Sequence, residues 1–346
     1  VMYKAFNRSN FQEQIHELYS DLITFGTAVM FIERDEDTQL RFSTRHIKEC
    51  YLSEDEKGRV DTVFRKFKMP VRAAMKRFGS EKMSSKILKK AEKDPYELLT
   101  LLHCVFERDD RDITKLTSDN KPFASIYVEP EEKIVLSESG FDENPYTCPR
   151  FLKSSFEIGY GRSPAMTALA DIKMLNRMSE VTIRAAQKQV DPPLLVPDDG
   201  FLLPVRTIPG GLNFYRSGTR DRIEPLNIAA NNPLGLNMEE QRRTAIRSAF
   251  YVDQLILGTG PQMTATEVIQ RTEEKMRLLG PVLGRLQAEL LQPLITRSYS
   301  ILERQKAFRP APEFMLGQSL EIEYVSPLAK AQRQGDIQDM TRLLEL

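Results

Sequence analysis

The chain has 346 residues, enough for a large hydrophobic core and for two or three folding units. Its 49 basic and 49 acidic residues balance, which excludes a protein that grips nucleic acid over its whole surface. The three cysteines, Cys50, Cys104 and Cys148, form no closely spaced pair, so the pattern favours a reducing, cytosolic compartment over a disulfide framework. No apolar run approaches the ~18 residues of a membrane span and no signal peptide is visible, so we expect no membrane contact.

Patterns in the first 150 residues predict an α+β unit. Ser9 and Gln12 have capping-box spacing and begin an apolar helical stripe that ends near Gly26. Alternating apolar and polar residues predict strands at 27–33, 40–45, 50–52, 59–68, 98–108, 122–129 and 133–138, and short surface helices are expected at 70–78 and 81–92. The second of these helices carries five lysines, which we interpret as a solvated helix face rather than a DNA patch: Lys82, Lys86, Lys89, Lys90 and Lys93.

A long helix organises the middle of the chain. Ser163 is a good N-cap and Pro164 suits the first helical position, where its missing N–H is no loss. No glycine or proline interrupts the run before Asp191-Pro-Pro ends it, and about 26 residues at 1.5 Å give a rod of roughly 39 Å. Such a rod packs against other long rods or forms the core helix of a large domain. Its stripe of apolar or small residues comprises Ala165, Leu169, Ile172, Leu175, Ser179, Ile183, Ala186 and Val190.

After this helix the sequence becomes rich in proline and glycine. Residues 191–235 predict a compact β-rich insert with short strand-like pieces at 194–196, 202–205, 212–215 and 222–226. A second helix is expected to start near Asn237, to run through Leu255 and to stop at Gly258-Thr-Gly-Pro. Two long helices therefore flank a small insert, and an antiparallel pair with the insert at its tip is the simplest arrangement.

A third helical pattern begins at Thr264 and Glu267, which again have capping-box spacing. Each of Pro281 and Pro293 removes a ladder hydrogen bond inside this pattern, so kinks are expected there. In particular, we predict a bend within one turn of Gly280 and Pro281. A strand at 320–325 and an amphipathic segment from 336 follow, and because the helical pattern runs to the last residue we expect the chain to be an internal portion of a longer protein.

The sequence contains no constellation of catalytic residues. The dipeptide Gly-Lys of a phosphate loop never occurs, and Gly159-Tyr-Gly and Gly258-Thr-Gly both lack the third glycine of a dinucleotide loop. Asp109, Asp110 and Asp112 lie beside arginines and resemble a charged hairpin turn more than a metal site. Ser163 lacks the surroundings of a nucleophile. The histidines His16, His46 and His103 match no zinc spacing. We therefore predict no enzyme activity, no cofactor and no metal.

Two blocks of sequence carry a family resemblance. Glu143-Asn-Pro-Tyr followed by Gly159-Tyr-Gly-Arg-Ser-Pro-Ala-Met resembles the portal, or head-to-tail connecting, proteins of short-tailed bacteriophages. The later block, which is similar to the same family's second signature, reads Met263-Thr-Ala-Thr-Glu-Val-Ile-Gln-Arg with Leu279-Gly-Pro-Val-Leu-Gly-Arg-Leu-Gln-Ala-Glu-Leu-Leu-Gln-Pro-Leu-Ile. The likeness extends over nearly the whole chain, more loosely before residue 140, with the family's two ends missing or cut short.

The resemblance implies a portal-like α+β subunit with an α/β wing, two antiparallel long stem helices, a small β-rich clip and a long kinked helix. Carried onto this sequence, it implies these segments: wing 1–160, first stem helix 161–190, clip 191–235, second stem helix 236–256, tunnel loop 257–264, long kinked helix 265–305, and a return to the wing with a truncated crown 306–346. The two rods, the insert and the kinked helix agree with the patterns described above.

The resemblance also implies a function and its sites. Portal proteins form a ring of about a dozen copies at one capsid vertex, assembled in the host cytoplasm together with capsid and scaffolding proteins. A large terminase drives double-stranded DNA through the ring, and a tail adaptor docks later. The tunnel loop facing DNA would be Gly258, Thr259, Gly260, Pro261, Gln262 and Met263. The clip residues meeting terminase or adaptor would be Asp198, Asp199, Arg206, Arg216, Arg220 and Arg222.

Two other classes of function remain open at this stage. A DNA-processing enzyme is disfavoured because the chain has no phosphate loop and no carboxylate cluster. A non-portal helical virion adaptor would share the long helices but would not form a large closed ring. The balanced charge fits a channel that lets DNA pass, since strong phosphate contacts would slow it.

Overall fold

The computed structural model describes residues 1–112, 114, 117–154, 156–195, 224–225, 233–252 and 279–308. Within these residues the protein is a mixed α+β fold with antiparallel sheets, as the sequence predicts. The chain divides into two compact units, residues 1–167 with 255–346, and residues 168–254. The predicted tunnel loop, all six predicted clip residues, the Thr264 capping box and the elements expected after 308 lie outside the described residues.

The described helices and strands of the first unit begin with two helices and end with a helix near residue 304. They are α1 (Met2–Arg8), α2 (Phe11–Phe25), β1 (Val29–Asp35), β2 (Gln39–Arg45), β3 (Cys50–Glu54), β4 (Val60–Pro70), α3 (Val71–Phe78), α4 (Ser85–Lys93), β5 (Leu98–Glu107), β6 (Phe123–Glu129), β7 (Ile134–Phe141), β8 (Tyr146–Thr147), and the start of α5 (Pro164–Val190). Short 3₁₀ turns occupy 47–49, 80–82 and 118–120.

Strand β1 is buried on both faces. It lies between β2 and β8 in an antiparallel three-stranded sheet. Because side chains alternate along a strand, Met30 and Ile32 pack on one side with α1, α2 and the helix near residue 300, whereas Val29 and Phe31 pack on the other side. This explains why residues 29–32 are continuously apolar rather than alternating.

The second sheet is a five-stranded antiparallel meander in the order β3-β4-β5-β6-β7. One half of its inner face is covered by α3 and α4 through Phe67, Leu99 and Leu101. The other half, including Val63 and Val105, packs against the three-stranded sheet. The same strands therefore contribute to two separate apolar clusters.

His103 lies where these two halves meet. Its ring stacks on Tyr127 with centroids 4.0 Å apart. Its Nε2 is 3.0 Å from the Ser125 hydroxyl, and its Nδ1 is 3.1 Å from the hydroxyl of Tyr146 on the other sheet. Burial, together with the charges of Arg77, Arg65 and Arg45, lowers the pKa of His103 to about 3. The imidazole is therefore neutral and links the two sheets by hydrogen bonds.

The helical pattern near the end of the first unit contains a π-helical segment. Residues 279–286 are α-helical, Gln287–Leu291 form a π-helix, and α7 (Gln292–Arg304) follows directly; it is numbered after α6 (Pro233–Ala249) of the second unit. Pro293 has no N–H to offer the carbonyl of Glu289, so a regular α-ladder cannot pass this position. The predicted interruption near Pro293 thus takes the form of a wide helical turn. The bend at Gly280 and Pro281 stays a prediction, because the preceding turn lies outside the described residues.

In the second unit, α5 continues to Val190 and is followed by β9 (Leu194–Leu195), β10 (Glu224–Pro225) and α6 (Pro233–Ala249). Strands β9 and β10 pair antiparallel. Two polar contacts join α5 and α6: Arg242 donates to Asp171 over 2.8 Å, and Thr182 donates to Glu239 over 2.7 Å.

Three details of the sequence prediction were wrong. The N-cap of α2 is Asn10 and not Ser9, and the Asn10 side chain bonds the backbone of Phe42 instead of capping. The Ser9 hydroxyl accepts the N–H of Phe11 over 3.2 Å and donates to the Phe6 carbonyl at the end of the unpredicted α1, so it forms no capping box with Gln12. Helix α6 begins at Pro233, a favoured first helical residue, and not near Asn237. It ends at Ala249 rather than Leu255, because Tyr251 takes a left-handed φ of 58°.

The buried His103 makes a pH-dependent contribution to stability. The unfolded chain binds a proton at this residue near pH 6.5, whereas the folded protein does so only near pH 3. Stability therefore falls as the pH falls through this window, by up to about 1.4 kcal/mol per pH unit. We expect His103→Gln to flatten the pH dependence of Tm between these limits. The exposed His16→Gln is the control, and equal slopes in both variants and the wild type would contradict the assignment.

Candidate functional site

The base of the long helix α5 is joined to other segments of the described structure by several hydrogen bonds. Helix α5 starts at Pro164, and the buried hydroxyl of Ser163 accepts a hydrogen bond from the Met166 N–H over 2.9 Å. The same hydroxyl donates to the carbonyl of Thr24, in the last turn of α2, over 2.9 Å. One serine therefore caps one helix and ties it to the end of another.

Two glycines allow the backbones to meet at this junction. The Gly161 N–H donates to the Thr27 hydroxyl over 2.7 Å. A Cβ atom on Gly161 would lie 2.5 Å from the carbonyl oxygen of Gly26, and a Cβ on Gly26, which has a φ of +76°, would lie 2.6 Å from the carbonyl oxygen of Gly161. No side chain fits at either position, since both neighbours are backbone atoms.

Arg150 is the charged centre of the junction and is 1% exposed. Its guanidinium donates to Glu289 over 2.6 and 3.0 Å, to Glu54 over 2.7 Å and to the Gly58 carbonyl over 2.9 Å. Its backbone N–H donates to Glu289 over 3.0 Å as well. Planar bidentate pairing of this kind suits arginine and not lysine.

Glu54 is the second carboxylate of the network. It pairs with Arg150 and with Lys153, and it accepts the backbone N–H of Gly159. Burial alone would raise the pKa of Glu54, but the bonds from Lys153, Gly159 and Arg150 outweigh it and hold that pKa below its usual value. The network therefore joins the β3–β4 hairpin, the approach to α5 and the π-helical segment that contains Glu289.

A second arginine anchors α7. Arg297 is buried and donates to the carbonyl of Ile32 over 2.9 Å and to the Glu143 side chain over 3.2 Å. Arg304, two turns later, donates to both oxygens of the same carboxylate over 2.6 and 3.0 Å. Asn144, next in the chain, accepts the N–H of Tyr146 over 2.9 Å and donates to the carbonyl of Val60 over 3.3 Å.

Residues of the first sequence block therefore take part in the hydrogen bonds that hold these elements together. Glu143 holds α7, Gly159 binds Glu54, and Tyr160 donates to the carbonyl of Cys50 and accepts the N–H of Leu52, both over 3.3 Å. Gly161 and Ser163 form the junction itself. Of the other predicted site residues, Pro164 starts α5, Gly280 and Pro281 lie in the helical residues 279–286, and the rest lie outside the described residues.

The hydrogen bonds and ion pairs described above connect helices and strands to one another, and few of them suggest a chemical reaction. Across the described residues, no group of three His, Cys, Asp or Glu side chains is arranged to bind a metal ion. Cys50 and Cys148 are buried, and burial raises the pKa of Cys50 to about 12, so it is no nucleophile at neutral pH. Among the residues that the structure describes, no helix is both long and apolar enough to cross a membrane.

Helix α5 beyond its base presents apolar side chains to solvent. Val181, Ile183 and Val190 are 55%, 58% and 87% exposed in the single chain. Ile172 and Leu175 of the predicted stripe are half-buried, whereas Leu169, Ile183, Ala186 and Val190 of that stripe are exposed. Leu169, Ile183, Ala186 and Val190 share one face of the helix, whereas Val181 lies on the other side. Exposed apolar surface of this kind marks an interaction site in a folded protein.

Sequence reasoning missed the arginine network. Arg150, Glu54 and Glu289 are single charges in different segments, and no spacing rule connects residues that far apart. The sequence offered one signal. Arg150 lies between the two parts of the first sequence block, and Glu289 lies within the second block.

Comparison with known proteins identifies relatives of the whole chain. Residues 1–346 match the family described as "Bacteriophage head to tail connecting protein". The chain is 34% identical over 344 residues to the "Probable portal protein" of Bordetella phage BPP-1, and 33% identical over 342 residues to the "Portal protein" of Salmonella phage epsilon15. Each alignment covers 96% of this chain and 61% of the relative, so the chain spans about three fifths of those proteins. It is 22% identical to the "Portal protein" of Enterobacteria phage T3 over 88% of its length.

The backbone contact at Gly161 can be tested by adding one methyl group. We expect Gly161→Ala to destabilise the fold by several kcal/mol, because the methyl must displace the Gly26 carbonyl and not a flexible side chain. Gly284→Ala is the matched control: no atom lies within 4 Å of the added Cβ, and alanine is the better helix former. Chemical denaturation would measure both. Equal stability of the two variants would show that the junction tolerates a side chain.

Proposed function

We propose that this chain, which belongs to the bacteriophage head to tail connecting protein family, is a portal subunit that assembles into a closed ring. The ring would stand at one capsid vertex and form the channel through which double-stranded DNA enters and leaves. We propose about a dozen copies, since a heterologous interface that closes on itself gives a cyclic ring.

The observation that carries the proposal is the uncovered apolar surface of α5. Val181, Ile183 and Val190 are more than half exposed in the single chain. In the single subunit these side chains are in contact with water. Covering them with a neighbouring copy would lower the free energy by about 25 cal/mol for each Å² of apolar area removed from water. An identical α5 and α6 from the next copy is the partner that a ring supplies.

The remaining segments take their roles from this arrangement. We propose that 161–190 and 236–256 are antiparallel stem helices, that 191–235 is the clip, and that 257–264 is the tunnel loop at the narrowest part of the channel. The clip, with its acidic pair at 198–199 and its arginines, would dock the large terminase and later the tail adaptor. The wing would meet capsid and scaffolding proteins. The role is structural and needs no catalytic residue.

The anchored base of α5 suits this role mechanically. Ser163, Gly161 and Arg150 fix the start of a 27-residue helix to three separate segments of the first unit. A long stem helix whose first residues must stay in place while DNA is pushed past needs such an anchor at its base. A non-portal helical adaptor, the second candidate, would also use long helices but would not assemble into a large closed ring.

Ring assembly should depend on the exposed face of α5. We expect Ile183→Gln with Val190→Gln to lower the fraction of ring measured by native mass spectrometry, while the Tm of the free subunit changes little because both side chains are mostly exposed. Lys173→Ala with Lys188→Ala alters exposed polar residues away from that face of the same helix and is the control. If the wild type itself gives only monomers and dimers, the proposed function fails.

The tunnel loop should act in DNA retention and not in assembly. Its side chains Thr259, Gln262 and Met263 are uncharged, so they can touch DNA without salt-sensitive phosphate contacts. We expect removal of residues 258–262 to leave rings intact and to let packaged DNA slip back, measured as loss of nuclease-protected DNA from filled capsids. Failed assembly would make the loop structural, and unchanged retention would end the gating role.

A further inference from the structure

The helices α3 and α4 form a strongly basic lobe on a chain whose overall charge is zero. Residues 71–93 contain eight basic and two acidic residues, whereas the whole chain has 49 of each. The two helices contact each other and cover the same half of the five-stranded sheet. The excess positive charge is therefore confined to α3, α4 and the residues between them.

The fold turns these charges outward. Val71 and Ala74 of α3 and Ile87 of α4 are buried against the sheet. On the opposite sides, Arg72 and Lys76 lie one turn apart on α3, and Lys86, Lys89 and Lys93 recur at spacings of three and four residues on α4. All five of these basic side chains are exposed.

Two cations of the lobe are paired with carboxylates. Lys86 pairs with Glu132 over 2.6 Å, and Lys90 pairs with Glu97 over 3.1 Å. Among the described residues, no carboxylate lies within 4.0 Å of the amines of Lys76, Lys82, Lys89 or Lys93. We call the surface formed by these four lysines the lysine surface.

We infer, in place of the solvated helix face that the sequence alone suggested, that the lysine surface binds the phosphate backbone of double-stranded DNA without regard to sequence. This goes beyond the proposed function, on which it rests only for the presence of DNA beside the protein. Lys89 and Lys93 are about 6 Å apart along α4, a length over which duplex DNA presents about three or four phosphate charges. Flexible lysine amines are point charges that can follow a phosphate path without fixed geometry.

The composition of the lobe favours DNA over an acidic protein. Stable protein interfaces need buried aromatic or aliphatic anchors at their centre. Within 71–93, no large hydrophobic side chain is exposed. A surface of lysines without an apolar centre can supply salt-dependent, non-specific attraction, which is the form that phosphate contacts take.

The test compares two quadruple variants of the full chain. Lys76→Gln, Lys82→Gln, Lys89→Gln and Lys93→Gln remove the lysine surface. Lys4→Gln, Lys57→Gln, Lys66→Gln and Lys68→Gln remove the same number of exposed charges elsewhere in the first unit. Binding of a fluorescent mixed-sequence DNA duplex is measured by anisotropy over a range of salt concentrations, and native mass spectrometry of the same samples reports ring assembly.

We expect the wild type and the control variant to bind DNA alike. The lysine-surface variant should bind roughly ten- to hundredfold more weakly at low salt, and its plot of log affinity against log salt should be shallower by up to about 3.6, which is 0.9 for each of the four lost contacts. DNA should also protect Lys76, Lys82, Lys89 and Lys93 from chemical acetylation, and not Lys66 or Lys68. The last readout separates this surface from DNA held in a channel.

Equal DNA binding by both variants, or equal protection of all lysines, would overturn the inference. Binding of the lysine surface to polyglutamate with no binding to duplex DNA would overturn it too and would assign the lobe to an acidic protein. If protection occurs in samples that form no ring, the inference stands and the proposed function fails. If rings form and the lysine surface ignores DNA, the proposed function stands alone.

Discussion

The buried guanidinium of Arg150 is the interaction on which the rest of the first unit depends. It binds Glu54 on the β3–β4 hairpin and Glu289 on the helical segment some 140 residues later. Removing one partner of a buried ion pair leaves an uncompensated charge and typically costs 3–5 kcal/mol, roughly a third or more of the stability of an average domain. Because Arg150 also precedes the Leu152–Arg162 bridge that leads to α5, its position sets where the long helix starts.

The π-helical segment makes sense as part of this network. Glu289 lies at its centre, while Leu290 and Leu294 on either side of the segment's end are buried in the core with β1 and α2. In this wide turn Glu289 reaches Arg150 while the neighbouring leucines stay in the core, and Pro293 weakens the regular ladder at that point. The single chain segment therefore satisfies Arg150 without withdrawing its leucines from the core.

Much of the fold could be predicted from alternation and spacing. The strands of the five-stranded sheet, the turn between β1 and β2, and the start of α5 all follow from local patterns that involve about a dozen residues or fewer. What could not be predicted depends on distant partners: the side chain of Asn10, the residue before α2, binds the backbone of Phe42, 32 positions later. For the same reason the sequence showed Gly161 and Ser163 as a turn and a cap but did not show that Gly26 and Thr24 complete the junction.

Basic and acidic residues are concentrated in different segments of the chain, although their totals are equal. Residues 129–143 carry six acidic residues and one lysine. Some of their carboxylates are paired with specific cations: Glu132 with Lys86, and Glu143 with Arg297 and Arg304. A carboxylate held within 3 Å or so of one cation does little for another that is a helix turn away, because water and salt screen exposed charges. The lysines on the outer side of α4 consequently keep their full charge, and a neutral total is compatible both with a channel that releases DNA and with a lobe that attracts it.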